Sequence, residues 1–135
     1  MNQVNPIRDM NEIKAMYEVL RARSQRDYLF FKFAIHTGVK LSELLHLTVK
    51  DLKNDSGEIK LYWVEPHAAN IHIMFPEDLR EELSQYISHE QLNDCDLLFQ
   101  SNRTHHCLSR QQAYRIIRAA AADIGMLHIG LTTLR

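Results

Sequence analysis

The segment from Tyr28 to His36 constrains the fold of this chain most, because it is apolar on almost every side. Ser24 and Asp27 precede it at the spacing of a helix N-cap and first turn, and Gly38 follows where a left-handed residue ends a helix. A helix that is apolar all round is buried, so this one is predicted to form the centre of a hydrophobic core.

Three further segments repeat apolar residues at helical spacing and are predicted to be amphipathic helices. The first opens at Asp9 with Glu12 in its first turn, and Pro76 fits the first turn of the third, which runs to about Ser88. Their apolar residues are Met10, Ile13, Met16, Tyr17 and Leu20 in the first, Leu44, Leu45 and Leu47 in a short second helix from near Leu41, and Leu79, Leu83, Tyr86 and Ile87 in the third.

Between the second and third of these helices the spacing changes to period two. This predicts two antiparallel strands joined by a loop over 65–70, and the apolar segment 97–99 suits an extended conformation. The predicted fold class is therefore mainly α with a small antiparallel β-sheet, an α+β fold. The alternating residues are Ile59, Leu61 and Trp63 against Lys60, Tyr62 and Val64, and Ile71, Ile73 and Phe75 against His72 and Met74.

The last predicted helix has two contrasting faces. Ser109 and Gln112 have the spacing of a capping box at its start, and Gly125 closes it. Its arginine-bearing face suits contacts with phosphates. An ordinary amphipathic helix, which buries its apolar face in the core and exposes its polar face to water, has the same pattern. The apolar face carries Ala113, Ile116, Ile117, Ala120, Ala121 and Ile124, and the other face carries Arg110, Gln111, Tyr114, Arg115 and Arg118.

Charge is distributed unevenly along the chain, although the formal net charge is only −1. Residues 1–53 carry nine Lys/Arg against six Asp/Glu, residues 77–100 carry one against seven, and residues 101–135 carry five against one. A nucleic-acid surface is therefore predicted at the two ends of the sequence, away from the acidic stretch. Chance clustering of solvated charges is the alternative.

Composition narrows the class of protein. A chain of 135 residues fits one domain, and its apolar runs are shorter than the roughly 20 residues of a membrane span. The start of the chain lacks the pattern of a signal peptide, and Cys95 and Cys107 fit a reducing cytoplasm, so a cytoplasmic protein is expected. The run 105–107, His-His-Cys, has no partner pair at zinc-site spacing, and no metal or cofactor is predicted.

Two motifs occur in order on either side of the predicted strands. Residues 37–47 read T-G-V-K-L-S-E-L-L-H-L and are followed by Asp51-Leu52. Residues 98–99 read L-F, residues 108–114 read L-S-R-Q-Q-A-Y, and residues 130–135 read G-L-T-T-L-R. Together they resemble the boxes of the tyrosine recombinase, or phage integrase, family over about residues 6–135. The resemblance implies the fold of the recombinase catalytic domain.

The resemblance also implies a chemistry. Such enzymes cleave DNA with a tyrosine nucleophile and form a 3′-phosphotyrosyl link, while two arginines and a His or Lys hold the scissile phosphate. A lysine on the hairpin acts as general acid, and a further His or Trp supports the site. Bidentate guanidinium groups stabilise the negative charge that develops on the attacked phosphate.

The family's site residues carry over to four positions of this sequence. Lys40 stands where the first arginine is expected. A lysine keeps the positive charge but lacks the paired N–H donors with which a guanidinium binds two phosphate oxygens. Glu43 matches the acidic residue that supports this arginine, and Arg135 matches the second arginine. Thr132 stands where the box histidine is expected, and a neutral hydroxyl does not shuttle a proton near neutral pH. The resemblance therefore implies a degenerate catalytic site.

Three further groups have no clear counterpart. The hairpin lysine is missing from the loop 65–70, where Lys60 and His67 are the nearest candidates. The supporting His or Trp and the nucleophilic tyrosine would both follow Arg135. The chain is thus expected to be a single recombinase-like unit over 1–135 that lacks the C-terminal helices with this tyrosine. Because such groups act as a unit, DNA cleavage is expected to be undetectable and an enzymatic role is left open, leaning to inactive. The tyrosines considered as displaced nucleophiles, each expected to pack or face solvent, are Tyr17, Tyr28, Tyr62, Tyr86 and Tyr114.

The leading functional hypothesis is a DNA-binding protein from a phage or mobile element that regulates or assists an active recombinase. A protein-interaction module, which binds a recombinase, another protein or a second copy, is the alternative, as is a fragment of a longer site-specific recombinase. No membrane association is expected. The residues expected to grip duplex DNA are Lys40, Arg110, Arg115, Arg118 and Arg135 at phosphates, with Gln111 or Tyr114 at bases or sugars.

Overall fold

A computed structural model of the chain describes residues 10–64, 72–101, 106 and 108–124. These residues form five α-helices, a single 3-10 turn and a two-stranded antiparallel sheet, which confirms the predicted fold class. In chain order the elements are α1 (Met10–Arg23), α2 (Gln25–Thr37), α3 (Leu41–Leu45), the 3-10 turn (Val49–Leu52), β1 (Tyr62–Val64), β2 (His72–Met74), α4 (Glu77–His89) and α5 (Arg110–Asp123).

Helix α2 is the central element, as its apolar sequence predicts. The hydroxyl of Ser24 accepts a hydrogen bond from the Asp27 amide at 3.3 Å, and Gly38 ends the helix with a φ of 66°. The helix packs against α1, α3 and α4. Its aromatic rings reach the rest of the core, since Phe33 lies 5.8 Å from Trp63 and Phe30 lies 5.6 Å from Phe99.

Helices α1 and α4 cover α2 with the predicted apolar faces. Met10 is an exception, because it lies exposed at the first residue of α1 instead of in its apolar stripe. Pro76 is the N-cap of α4 and not a first-turn residue. The buried residues are Ile13, Met16 and Leu20 in α1, and Leu79, Leu83, Tyr86 and Ile87 in α4.

The segment after α3 differs from the predicted longer helix. Helix α3 ends at Leu45, so Leu47 is buried in an irregular segment, and a 3-10 turn follows that the apolar pattern did not predict. The carboxylate of Asp51 caps this turn by accepting a hydrogen bond from the Thr48 amide at 3.0 Å. Thr48 also forms a β-bridge with Leu97, whereas Leu98 and Phe99 lie in bends, so the extended conformation predicted for 97–99 is not continuous.

The two strands pair in the register Tyr62 to Met74, Trp63 to Ile73 and Val64 to His72. Trp63 points into the core, whereas Leu61 lies exposed, although strict alternation would place both on one face. A bend at Leu61, just before the regular strand, shifts the phase of the alternation. Ile71 and the loop 65–70 lie outside the described residues.

A buried lysine joins α1, α2 and α4. The Lys32 ammonium lies 2.6 Å from a Glu82 oxygen, 2.8 Å from an Asp78 oxygen and 3.0 Å from the Tyr28 hydroxyl. This hydroxyl donates to Glu82 at 2.6 Å and accepts from Arg21 at 2.6 Å. Burial lowers the pKa of Lys32, but these hydrogen bonds outweigh it and hold the pKa above its ordinary value.

Candidate nucleic-acid interface

The start and the inner face of α5 fix which of its side chains reach solvent. The Ser109 hydroxyl accepts from the Gln112 amide at 3.1 Å, and the Gln112 side chain accepts from the Ser109 amide at 2.9 Å. This is the predicted capping box. The helix packs against α1. Its buried residues are Ala113, Ile117, Ala120 and Ala121.

All five α5 residues predicted to contact DNA are exposed. At about 100° per residue, Arg110, Tyr114 and Arg118 form one row along the helix, and Gln111 and Arg115 form a neighbouring row. We call these five residues the α5 face. It spans about 140° of the helix circumference and alternates guanidinium groups with an aromatic ring and an amide.

The arginines of the α5 face differ from those of α1. In α1, Arg21 lies 3.5 Å from Glu82, and Arg23 bonds Asp123 near the end of α5. Within the part of the chain that the structure describes, Arg110, Arg115 and Arg118 form no ion pair. The first turn of α5 contains no acidic residue, so the positive end of the helix dipole adds to the charge of Arg110. The α5 face is therefore a local site of positive potential.

The turn that follows α2 places Lys40 of the first motif at the surface. The Thr37 hydroxyl donates to the Phe33 carbonyl at 2.8 Å and accepts from the Val39 amide at 3.3 Å. Together with the left-handed Gly38, this ends α2 and lets α3 begin. Lys40 is the exposed N-cap residue of α3 in an extended conformation, and no hydrogen bond from its side chain caps the helix.

A pocket of about 390 Å³ lies beside this motif. It brings the half-buried Glu43 together with Lys60, one of the two candidates for the hairpin lysine. His46 at its wall is tied back, because its Nδ1 lies 2.8 Å from the Ser42 carbonyl oxygen. The lining residues are Glu43, His46, Leu47, Asp51, Lys60, Trp63 and Val64.

The predicted site residues are only partly placed. Glu43 belongs to α3 and Lys40 is its N-cap residue, whereas the five residues of the α5 face belong to another element. Thr132, Arg135 and His67 lie outside the described residues. The grouping of Lys40 with Thr132 and Arg135 thus stays a prediction.

Three of the five tyrosines considered as displaced nucleophiles are buried or half-buried. Burial raises the pKa of both Tyr17 and Tyr86 to about 12, which disfavours the phenolate that attacks a phosphate. Tyr28 is buried and donates its hydroxyl proton to Glu82. Tyr62 and Tyr114 are exposed. Each tyrosine packs or faces solvent, as the sequence predicts.

The described residues contain neither a cluster of metal ligands nor a helix that could span a membrane. No group of three or more His, Cys, Asp and Glu side chains lies close enough to bind a metal ion in residues 10–64, 72–101, 106 and 108–124. Cys95 is exposed, and Cys107 is not among the described residues. None of the described helices combines the length and the apolar character that crossing a bilayer requires.

Known proteins share both the sequence and the fold. The chain is 36% identical to the probable integrase/recombinase YoeC of Bacillus subtilis over 100% of its own length and 72% of that protein. It is 34% identical to the type 1 fimbriae regulatory protein FimE of Escherichia coli over 84% of the chain and 60% of FimE. The crystal structure of XerA recombinase matches 98% of the chain and 48% of XerA, with a TM-score of 0.74 at 21% identity.

The chain thus spans about half to three quarters of the length of these three proteins. The XerA match supports the fold, and the two sequence matches support common descent. Family membership associates the chain with DNA recombination and integration, and it implies DNA as a ligand. Because the model of the phage integrase family matches residues 8–135 and both boxes fall within this range, the chain belongs to the phage integrase family.

Proposed function

We propose that the chain grips duplex DNA through the α5 face together with Lys40 and Arg135. The observation that carries this proposal is the row of exposed arginines on α5, which form no ion pair with a described residue. Guanidinium groups bind phosphate oxygens with paired hydrogen bonds, which fix a protein on the backbone without reading its sequence. Gln111 and Tyr114 lie beside these arginines and provide contacts to sugars or bases.

The near-neutral net charge does not oppose this function, because binding responds to local charge. Screening limits interactions between exposed charges to about 8 Å at physiological salt. The acidic helix α4 packs against α2, whereas α5 packs against α1. Two carboxylates of α4, those of Asp78 and Glu82, are moreover paired with Lys32.

The first test is fluorescence anisotropy of a labelled random-sequence duplex over a series of salt concentrations. Binding is expected at low salt and should weaken steadily as salt rises, because each neutralised phosphate releases counterions. With three to five cationic contacts, the slope of log K against log salt should be about −3 to −4.5. An absence of binding at low salt would exclude the proposal, and salt-independent binding would exclude its electrostatic basis.

We further propose that the family's chemistry has decayed and that the protein acts as a regulator or an accessory of an active recombinase. Support comes from two positions inside the chain, Lys40 for the first arginine and Thr132 for the histidine. These replacements weaken phosphate activation and proton transfer at the site itself. The relative FimE is named as a regulatory protein of type 1 fimbriae.

A denaturing gel tests this second proposal directly. The protein is incubated with a labelled random-sequence duplex and then denatured. After denaturation only DNA in a covalent phosphotyrosyl link would still migrate with the protein, so no labelled protein band is expected. The five tyrosine-to-phenylalanine variants serve as controls. A labelled band that one of these variants abolishes would show that the chain retains a nucleophile and that the proposed decay is wrong.

A further inference from the structure

Another pocket, of about 300 Å³, lies where the chain turns back after α4. Two backbone hydrogen bonds close the end of this helix, from the Glu90 amide to the Tyr86 carbonyl at 2.9 Å and from the Leu92 amide to the Ile87 carbonyl at 3.0 Å. The pocket lies between this turn and residues 96–101, and we call it the Tyr86 pocket. Its lining includes Tyr86, Glu90, Gln91, Asp96 and Gln100.

The hydroxyl of Tyr86 is an unused polar group in this pocket. The residue is only 7% exposed. Its hydroxyl oxygen is neither enclosed by protein atoms nor hydrogen-bonded to a described residue, so it opens into the pocket. Burial, and to a smaller extent the charge of Glu90, raises the pKa of Tyr86 to about 12, so the hydroxyl stays neutral. A buried tyrosine hydroxyl generally has a hydrogen-bond partner, and this one is therefore available to a ligand.

The charges around the pocket determine the kind of ligand that it accepts. The described residues that line it include the carboxylates of Glu90 and Asp96 and no Lys or Arg. Arg26 reaches the Gln100 carbonyl at 2.9 Å from outside the lining, but its charge is balanced by Asp27 at 2.8 Å. Anions such as the phosphates of DNA are therefore repelled, whereas a cation is attracted.

We propose that the Tyr86 pocket binds the guanidinium group of an arginine side chain from a partner protein. A guanidinium carries a positive charge and five N–H donors but no acceptor. The pocket supplies the complementary acceptors, because oxygen atoms of Tyr86, Glu90, Asp96, Gln91 and Gln100 line it. The ammonium of lysine is a compact charge with three donors and matches this spread of acceptors less well.

Both carboxylates keep an oxygen for the ligand. In Glu90, one oxygen lies 3.1 Å from Nδ1 of the exposed His89, and in Asp96 one oxygen accepts from the Asn93 amide at 2.7 Å. The second oxygen of each forms no hydrogen bond with a described residue. The pocket lies at the end of α4 and the arginines of the α5 face lie on another helix, so the inference does not depend on DNA binding.

Two-dimensional ¹H–¹⁵N NMR of the whole chain, titrated with N-acetyl-arginine methylamide, tests the inference. The side-chain amide signals of Gln91 and Gln100, assigned by substitution, should shift with a millimolar Kd, as expected for a single side chain. Tyr86→Phe should raise this Kd about threefold to tenfold, because it removes one hydrogen bond. Glu90→Gln should raise it about threefold, as for a half-exposed ion pair. Glu81→Gln is the matched control, since Glu81 is an exposed carboxylate of α4 outside the pocket, and it should leave the Kd unchanged.

Related probes define the chemistry of the ligand. The citrulline derivative has the shape of the arginine probe without its charge and should not bind, and the lysine derivative should bind more weakly. Equal binding of either derivative would overturn the assignment to a guanidinium. Free arginine should also bind more weakly, because its α-carboxylate is repelled by Glu90 and Asp96. Equal or tighter binding of free arginine would identify a free metabolite as the ligand and contradict a partner protein.

Two further results would overturn the inference. They are the absence of shifts at Gln91 and Gln100 throughout the millimolar range, and shifts that Tyr86→Phe and Glu90→Gln leave unchanged. Equal thermal midpoints of the natural protein and the variants show that the fold is retained. Tyr86→Phe should leave DNA affinity in anisotropy unchanged, and a loss of that affinity would mean that the pocket contacts DNA instead. Arginine binding without DNA binding would retain this inference and exclude the proposed function, so the two fail separately.

Discussion

A protein in which Arg115 and Arg118 are both replaced by Glu is expected to lose almost all affinity for duplex DNA. Each arginine that neutralises a phosphate contributes about one unit to the salt slope, so the slope should fall by about two. The two glutamates also repel the phosphates, and this repulsion adds to the loss of the arginine contacts. At low salt the dissociation constant should rise by about two orders of magnitude, as anisotropy with the same random-sequence duplex will show.

The matched control is the double variant Lys14→Glu/Lys50→Glu. Both lysines are exposed, lie outside the α5 face, and give the same change in net charge. Affinity should fall only a few-fold, because distant charges are screened. An equal loss in the two double variants would mean that net charge, and not the α5 face, determines binding. Unchanged binding by the Arg115 and Arg118 variant would place the DNA contact elsewhere.

The helices could be predicted because the signals that define them are local. Ser24, Gly38 and Ser109 act within three or four residues of their own positions, and each lies at the predicted end of its helix. The apolar faces of α1, α4 and α5 follow from spacing within a single element. Such signals depend little on the rest of the fold, so they can be read from the sequence.

The departures arise where local pattern and tertiary context disagree. Leu61 has the spacing of a core residue but lies at a bend. Leu47 has helical spacing, yet its carbonyl accepts the Leu98 amide at 2.8 Å in a contact between distant segments. The 3-10 turn depends on a bond from the Val49 amide to the Asp96 carbonyl at 3.0 Å. None of these long-range bonds has a signature in the neighbouring sequence.

Part of the candidate site could also be predicted, from the helical period and from the family resemblance. Exposure of the α5 face followed from the helical period, and Lys40 and Glu43 were selected by the resemblance to the family boxes. The pairing of Arg23 with Asp123, which removes the only acidic residue of α5 from competition with the arginines, joins residues 100 positions apart. Spacing could not reveal it. The pocket that brings Lys60 beside Glu43 likewise depends on how the hairpin packs.

The largest expected effect on stability comes from replacing Lys32, which the sequence shows only as a lone charge within an apolar segment. Lys32→Met should lower the free energy of unfolding by about 2–4 kcal/mol, because it removes the cation from the half-buried Glu82. Asp78 is 67% exposed, so water solvates its carboxylate once Lys32 is removed. The expected loss of stability therefore lies toward the lower end of this range. Urea denaturation at neutral pH measures the difference, and Lys14→Met at an exposed position of the neighbouring helix should change it little.

The pH dependence of that difference separates charge pairing from lost packing. The hydrogen bond from Lys32 lowers the pKa of Asp78 below its usual 3.8, so this contribution is complete above pH 3.8 and is lost as pH falls through the lowered pKa. Lys32 has a raised pKa, so its contribution is complete below its usual 10.5 and is lost only above the raised value. The difference between the natural protein and Lys32→Met should therefore be constant from neutral pH to mild alkali. It should shrink in acid, first as His36, whose pKa is lowered by burial and by the charge of Lys32, becomes protonated, and then in strong acid as Asp78 does.

A difference that persists unchanged in strong acid would mean that the stem of Lys32 stabilises the core by packing and its charge does not. The double variant Lys32→Met/Glu82→Leu provides the second arm of the test. Because it removes both buried charges, it should recover part of the stability lost in the single variant, as apolar replacements of buried ion pairs often do. If the double variant loses as much stability as the two single changes added together, or more, Lys32 and Glu82 do not stabilise each other through their charges.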